Sequence, residues 1–154
     1  MKLLIAKELE EDNTAQLLEV FKSEYETEVI FFDTSLDNTF INTGAIAVDY
    51  EDRKKLPYLS LQESASRACE VFIFFPKNCD PQPGMIDNLL KPIVEDVNIT
   101  AVYSDYSIDD VVVVKNQPVC FCRRIEPDVG DQYDLEKTKG IVKYIPLSLY
   151  NVRL

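Results

Sequence analysis

The chain has 154 residues, of which 46% are apolar, so a single compact domain over residues 1–154 with a buried core is expected. Its formal net charge is −11, from 16 basic and 27 acidic side chains, which argues against nucleic-acid backbones and anionic membranes as partners because both bind basic surfaces. No apolar run approaches the ~18 residues needed to cross a bilayer, so we expect no membrane span.

The cysteines and the lack of histidine restrict the possible chemistry. No Cys-x-x-Cys pair and no histidine exist to complete a zinc site, and Cys120 and Cys122 would share one face of a strand without bridging. We therefore expect buried, reduced thiols in a cytoplasmic protein, with a virion-associated protein as the alternative. Without histidine, catalysis would rest on carboxylates, lysine, tyrosine or a bound metal ion.

Strand-like and helix-like segments alternate through the first two thirds of the chain, after which strands dominate. This pattern predicts an α/β fold with a mostly parallel sheet, flanked by helices and with a mixed edge. In the first half of the chain we predict a strand over 2–6, a helix beginning at Asn13 with its apolar face reaching Tyr25, strands over 28–32 and 45–48, a helix from Ser60 and a strand over 71–75. In the second half we predict a helix over 85–90 that Pro92 limits, and a strand over 99–103 ending in Ser104-Asp105. Strands over 111–114 and 119–122 are expected to pair as a hairpin, and a last strand covers 141–145.

The turn after the second strand carries a candidate nucleotide site. The apolar run to Phe32 leads directly into Asp-Thr-Ser-Leu-Asp-Asn-Thr, residues 33–39. Ligands of open α/β sheets bind just beyond the carboxyl ends of strands, so Asp33, Ser35 and Asp37 are placed to accept hydrogen bonds from a nucleoside. The same residue types also form turns and cap helices, which is the alternative interpretation.

Four segments, in order along the chain, resemble family 2 glycosyltransferases of the GT-A fold. Residues 29–39 are similar to the family's strand and its Asp-Asp-Gly-Ser-x-Asp-x-Thr turn, and residues 64–80 resemble the small-residue helix and the strand that precedes the Asp-x-Asp metal motif. Residues 101–109 look like the Tyr-Ser-Asp-x-Asp stretch of some members. Residues 131–135, with 141–153, are similar to the Glu-Asp-Tyr-Asp-Leu base motif and the closing Ile-Pro…Leu-Tyr…Arg stretch. The resemblance implies a GT-A-like domain and a nucleotide-sugar donor, such as a UDP-sugar, whose nucleoside would contact the 33–37 turn.

The chain departs from the family at the metal motif. Where the family has Asp-x-Asp, which holds a divalent cation on the donor pyrophosphate, this chain has Pro76-Lys77-Asn78. Proline offers no side-chain ligand, and asparagine is a neutral one. Lys77 is a candidate to replace the cation beside the nucleotide phosphates, its alternative being a solvated lysine at a strand end. Asp80 follows two residues too late and is a weak metal candidate.

The chain also departs from the family at the catalytic base. The carboxylate that would deprotonate the acceptor hydroxyl aligns with Gln132, whose amide cannot accept that proton. Asp131 and Asp134 are the candidate catalytic residues in its place. Ordinary solvated loop acids are the alternative interpretation of both.

Three functions follow from these observations. The leading one is a degenerate, weakly active or inactive glycosyltransferase-like protein without a cofactor, which serves as a binding or structural subunit and contacts other proteins in a larger assembly. The alternative is a compact, active inverting glycosyltransferase that lacks the usual metal site, or that recruits Mn²⁺ or Mg²⁺ in another way. An acidic decoy for a basic nucleic-acid site is disfavoured, because the carboxylates are spread along the chain.

Overall fold

A computed structural model of the chain describes residues 2–8, 13–32, 69–114, 117–125, 135 and 138–154. The predicted strand over 45–48 and the predicted helix from Ser60 lie outside these residues. Within them, no helix is both long enough and apolar enough to cross a membrane.

Two helices and eight strands are present in the described residues. Their bounds, in chain order, are β1 Lys2–Glu8, α1 Thr14–Val20, β2 Glu26–Phe32, β3 Val71–Phe75, β4 Cys79–Pro81, α2 Met85–Glu95, β5 Ile99–Ile108, β6 Val111–Val113, β7 Cys122–Arg124 and β8 Ile141–Val152.

The strands form one sheet in the order β2-β1-β3-β7-β5-β8-β4, with β6 beside β5. Among the described strands, three pairings are parallel (β1 with β2, β1 with β3, β5 with β8) and four are antiparallel. The expected α/β fold is thus confirmed, but the expectation of a mostly parallel sheet is wrong. Strands joined by a short turn, as β5 and β6 are, can pair only antiparallel, because a parallel pair needs a longer crossover connection.

The sheet curls back on itself. β4 lies at the far end of the sheet from β1, yet only residues 76–78 separate it from β3 in the chain. The Cys79 amide donates to the Pro76 carbonyl across this short turn. The curl therefore brings β4 and the end of β8 close to the end of β3.

The core has its apolar centre on β1 and β3, where the sequence predicted buried strands. Leu3 to Ala6 are all at most 1% exposed, and β3 lies between β1 and β7. Helix α1 begins after Asn13 as predicted, although no side-chain cap hydrogen bond forms there. Its Phe21 ring lies 5.2 Å from the ring of Phe75, so the apolar face of this helix packs on the sheet as expected.

Several predicted boundaries are wrong, each for a local reason. Helix α1 ends at Val20, so Tyr25 lies after it, where its amide donates to the Ser23 hydroxyl just before β2. Helix α2 continues through Pro92 to Glu95, because one apolar stripe runs along it from Met85 to Ile93. Strand β5 continues to Ile108, so Ser104 and Asp105 lie inside it and are buried.

Strand β8 also continues, past Pro146 to Val152. Ser104 is paired with Ile145, whereas Asp105 is paired with Ser148, so Pro146 lies in a bulge of β8. A proline is tolerated there because a bulged residue needs no ladder N–H.

The predicted hairpin between residues 111–114 and 119–122 does not form. β6 instead pairs with β5 through a two-residue turn, in which Asp109 and Asp110 have φ values of 45° and 67°. Aspartate is one of the few non-glycine residues that enters this left-handed region readily. β7 pairs with β3 and β5, and so joins the two parts of the sheet.

Candidate functional site

The carboxyl ends of three parallel strands, β1, β2 and β3, lie side by side, and we call this end of the sheet the carboxyl edge. Glu8 of β1 is paired with Phe32 of β2, and Lys7 is paired with Phe75 of β3. β2 and β3 therefore end on the two sides of the end of β1. The candidate nucleotide-binding residues Asp33, Ser35 and Asp37 follow β2 but lie outside the described residues.

A buried lysine that the sequence analysis did not single out lies at this edge. This residue is Lys7, which is only 3% exposed. Its ammonium donates to the carbonyl oxygens of Glu8 at 2.8 Å, Pro76 at 3.0 Å and Lys77 at 3.3 Å. Burial lowers the pKa of Lys7, whereas the neighbouring Cys79 and Asp80 favour its charged form. Lys7 thus ties the end of β1 to the turn over residues 76–78.

The same turn is held from its other side by Arg153. The guanidinium of Arg153 binds both carboxylate oxygens of Asp80, with Nε to Oδ2 at 2.7 Å and the second nitrogen to Oδ1 at 3.1 Å. It also donates to the carbonyl of Lys77 at 3.3 Å. Asn78 adds two further hydrogen bonds, since its amide side chain donates to the Arg153 carbonyl and its own carbonyl accepts from the Arg153 amide.

Asp80, the weak metal candidate, is therefore engaged by a cation from its own chain. Its side chain is 45% exposed and that of Arg153 is 44% exposed, so the pair lies at the rim and not in the core. The residues described contain no group of three or more Asp, Glu, Cys or His side chains that could hold a metal ion.

Lys77, the predicted substitute for the cation, lies in this turn. Its backbone carbonyl accepts from both Lys7 and Arg153, which fixes the turn. Its half-buried side chain makes no hydrogen bond or ion pair with any residue in the described parts of the chain. Three cationic side chains, Lys7, Lys77 and Arg153, thus share one edge of a protein whose net charge is −11.

The candidate catalytic residues Asp131 and Asp134 lie outside the described residues, so their position relative to Lys77 stays a prediction. The Tyr-Ser-Asp stretch that resembles the family lies inside β5 and does not end this strand as predicted. Asp105 is 6% exposed inside β5, where it accepts a hydrogen bond of 2.5 Å from the hydroxyl of Tyr144. Within this fold, Asp105 is part of the packed interior.

A second buried cluster, also missed in the sequence, lies where β4 approaches the segment before β7. The sulfur atoms of Cys79 and Cys120 are 3.0 Å apart, and the two residues are 0% and 1% exposed. The Tyr150 hydroxyl accepts from the backbone amides of Val119 at 3.0 Å and Cys120 at 3.1 Å. Its ring stacks on Tyr106, with 5.0 Å between the centroids. Because these partners are at least 30 residues apart in sequence, no local pattern indicates them.

A cavity of about 350 Å³ lies elsewhere, between α2 and the amino ends of β5 and β8. Lys91 and Lys143 line it together with Glu95 and Asp96, over a floor that includes Ile99. Its two lysines and two acidic residues balance in charge, and none of the candidate site residues from the sequence lines it. We therefore place the candidate site at the carboxyl edge and not in this cavity.

Neither a protein-family model nor a curated protein matches this chain. The resemblance to family 2 glycosyltransferases therefore stays a prediction that rests on the four segments.

Proposed function

We propose that this protein is a degenerate relative of family 2 glycosyltransferases that binds a nucleotide or nucleotide-sugar weakly, without a metal ion. In this proposal it acts as a binding or structural subunit of a larger assembly. The β2-β1-β3 part of the sheet would be the remnant of a GT-A fold. Its carboxyl edge would be the ligand site, as is usual for parallel strands in open α/β sheets.

The observation that carries the proposal is the contact of Lys7 with the turn after β3. Its ammonium already donates to the carbonyl oxygens of Pro76 and Lys77, so a metal ion bound in this turn would face a like charge. A divalent ion in the turn would also face the guanidinium of Arg153, and repulsion between like charges disfavours that arrangement. These contacts support a site that receives an anionic group directly.

Lys77 is the side chain best suited to contact the phosphates. Its backbone is fixed by two cations, and its own ammonium has no partner among the described residues. A lysine ammonium binds phosphate oxygens through charge-assisted hydrogen bonds. Because the whole chain carries a charge of −11, this attraction is local, and we expect weak binding that falls further as salt is added.

The test is calorimetric titration of UDP and UDP-sugars into the protein, with and without Mn²⁺. We expect weak binding that Mn²⁺ does not change. Lys77→Ala should weaken the affinity by about fivefold to tenfold, since one charge-assisted contact to phosphate is lost. Lys139→Ala, which removes an equal charge at an exposed residue before β8, is the matched control and should leave the affinity nearly unchanged.

Two results would contradict the proposal. Tight binding that requires Mn²⁺, or donor hydrolysis that Asp131→Ala abolishes, would establish the active transferase instead. If Lys77→Ala and Asp33→Ala both leave the titration unchanged, the carboxyl edge is not a nucleotide site.

A further inference from the structure

The Cys79 and Cys120 thiols are arranged for a reaction that the proposed function does not use. Cys79 is the first residue of β4, and Cys120 lies 41 residues later in the segment before β7. Their sulfur atoms are 3.0 Å apart, about 1 Å more than the length of a disulfide bond, which is about 2.0 Å. The two sulfur atoms are therefore in direct contact within the core.

The backbones at both cysteines are held by hydrogen bonds that do not involve sulfur. The Cys79 amide donates to Pro76, and Cys79 is paired with Val152 in the sheet. The Cys120 amide donates to the hydroxyl of Tyr150. A bond between the sulfurs would therefore leave the surrounding hydrogen bonds in place.

The surroundings affect the thiols in two opposing ways. Burial raises the pKa of Cys120, which keeps it protonated at rest, and the nearby ammonium of Lys7 acts against this by favouring the thiolate. Residues Gln117 and Val119, just before Cys120, are exposed, so a local opening of this segment would admit a small oxidant.

We propose that Cys79 and Cys120 are an oxidative modification site. When a peroxide oxidises them, they form a reversible intramolecular disulfide with each other. One thiolate attacks a peroxide oxygen, breaks the O–O bond and becomes a sulfenic acid, while the released hydroxide takes up a proton and leaves as water. The second thiol then attacks the sulfenic sulfur and displaces a second water as the S–S bond forms. For hydrogen peroxide, the two thiols lose two protons and two electrons in total, and one peroxide becomes two waters.

This disulfide would fasten β4 to the segment before β7. β4 directly follows the Pro76–Asn78 turn and includes Asp80, so the crosslink would also fix the turn that Lys7 and Arg153 hold. Because the bond closes a long loop, it should stabilise the folded protein relative to the unfolded chain.

The experiment is treatment of the native protein with excess hydrogen peroxide, followed by mass measurement and peptide mapping under non-reducing conditions. We expect a loss of two hydrogens, one crosslinked peptide joining Cys79 to Cys120, and reversal by dithiothreitol. The midpoint of thermal unfolding should rise by roughly 10 °C on oxidation. Two matched variants sharpen the result, because Cys122→Ala should retain the crosslink and Cys120→Ser should lose it.

Three outcomes would overturn the proposal: no mass change, oxidation to sulfinic acid without a crosslink, or a disulfide that involves Cys69 or Cys122. Since the readouts are mass, peptide identity and melting temperature without any nucleotide, a failure here would leave the nucleotide proposal standing, and the reverse also holds.

Discussion

The two parts of the sheet that β7 joins differ in how they are stabilised. The apolar part consists of β1, β3 and α1, whose packed residues are almost all aliphatic or aromatic. The polar part consists of β5, β8 and residues 117–121, where buried hydroxyl and carboxylate groups make hydrogen bonds across the strands. A continuous apolar run thus specifies one part, whereas specific polar partners specify the other.

The largest expected effect is on the apolar part. Phe75→Ala removes a side chain that is 0% exposed and packs on Phe21, so we expect a loss of about 3–5 kcal/mol in the free energy of unfolding. Urea denaturation measures it. The control is Val112→Ala, because Val112 in β6 is 56% exposed. It should lower the free energy of unfolding by at most about 0.5 kcal/mol. A loss for Phe75→Ala as small as that of the control would show that β3 is not in the core.

A smaller effect tests the polar part. Tyr150→Phe keeps the ring stacked on Tyr106 but leaves the amides of Val119 and Cys120 without their acceptor, which should cost about 1–3 kcal/mol. The matched control is Tyr103→Phe, because the Tyr103 hydroxyl makes no hydrogen bond with a described residue. Equal losses in urea denaturation for the two variants would contradict the polar network.

The smallest effect is a pH dependence at the strand between the two parts. Burial raises the pKa of Cys122 well above its usual range, so the folded protein keeps this thiol protonated. In the unfolded chain the thiol ionises above about pH 8.5. The contribution of Cys122 to stability is therefore complete below that pH and is lost progressively as the pH rises above it.

The free energy of unfolding should therefore decline as the pH rises. In Cys122→Ala this decline should be shallower by about 1.4 kcal/mol per pH unit between about pH 9.5 and 10.5. Urea denaturation at several pH values measures the slope. Val112→Ala, which removes no titrating group, should leave the slope unchanged. A wild-type slope in Cys122→Ala would show that the thiol is not buried in solution.

Sequence reasoning succeeded where burial produces an uninterrupted pattern. The strands around Ile5 and Ile73 and the helix that follows Asn13 were predicted because their apolar residues recur at the expected spacing. It failed in β5 and β8, where Asp105 and Pro146 look like strand ends. The first is satisfied by a tyrosine from the neighbouring strand and the second lies in a bulge, and neither circumstance is visible locally.

The same limit applies to the candidate site. Lys77 was a candidate because it lies in a segment that resembles a family motif, whereas Lys7 belongs to no motif. The function of Lys7 as a donor depends on carbonyls about 70 residues away. The Cys79–Cys120 contact likewise depends on the curl of the sheet, which no spacing in the sequence encodes.

The β6 edge has a consequence for the behaviour of the protein in concentrated solution. Val111, Val112 and Val114 are 70%, 56% and 62% exposed, and in the described chain β6 pairs with no strand except β5. An open, uncharged strand edge of this kind favours association between copies of a protein. Repulsion between copies that each carry a charge of −11 opposes that association. We therefore expect the protein to associate and precipitate as acid neutralises its carboxylates.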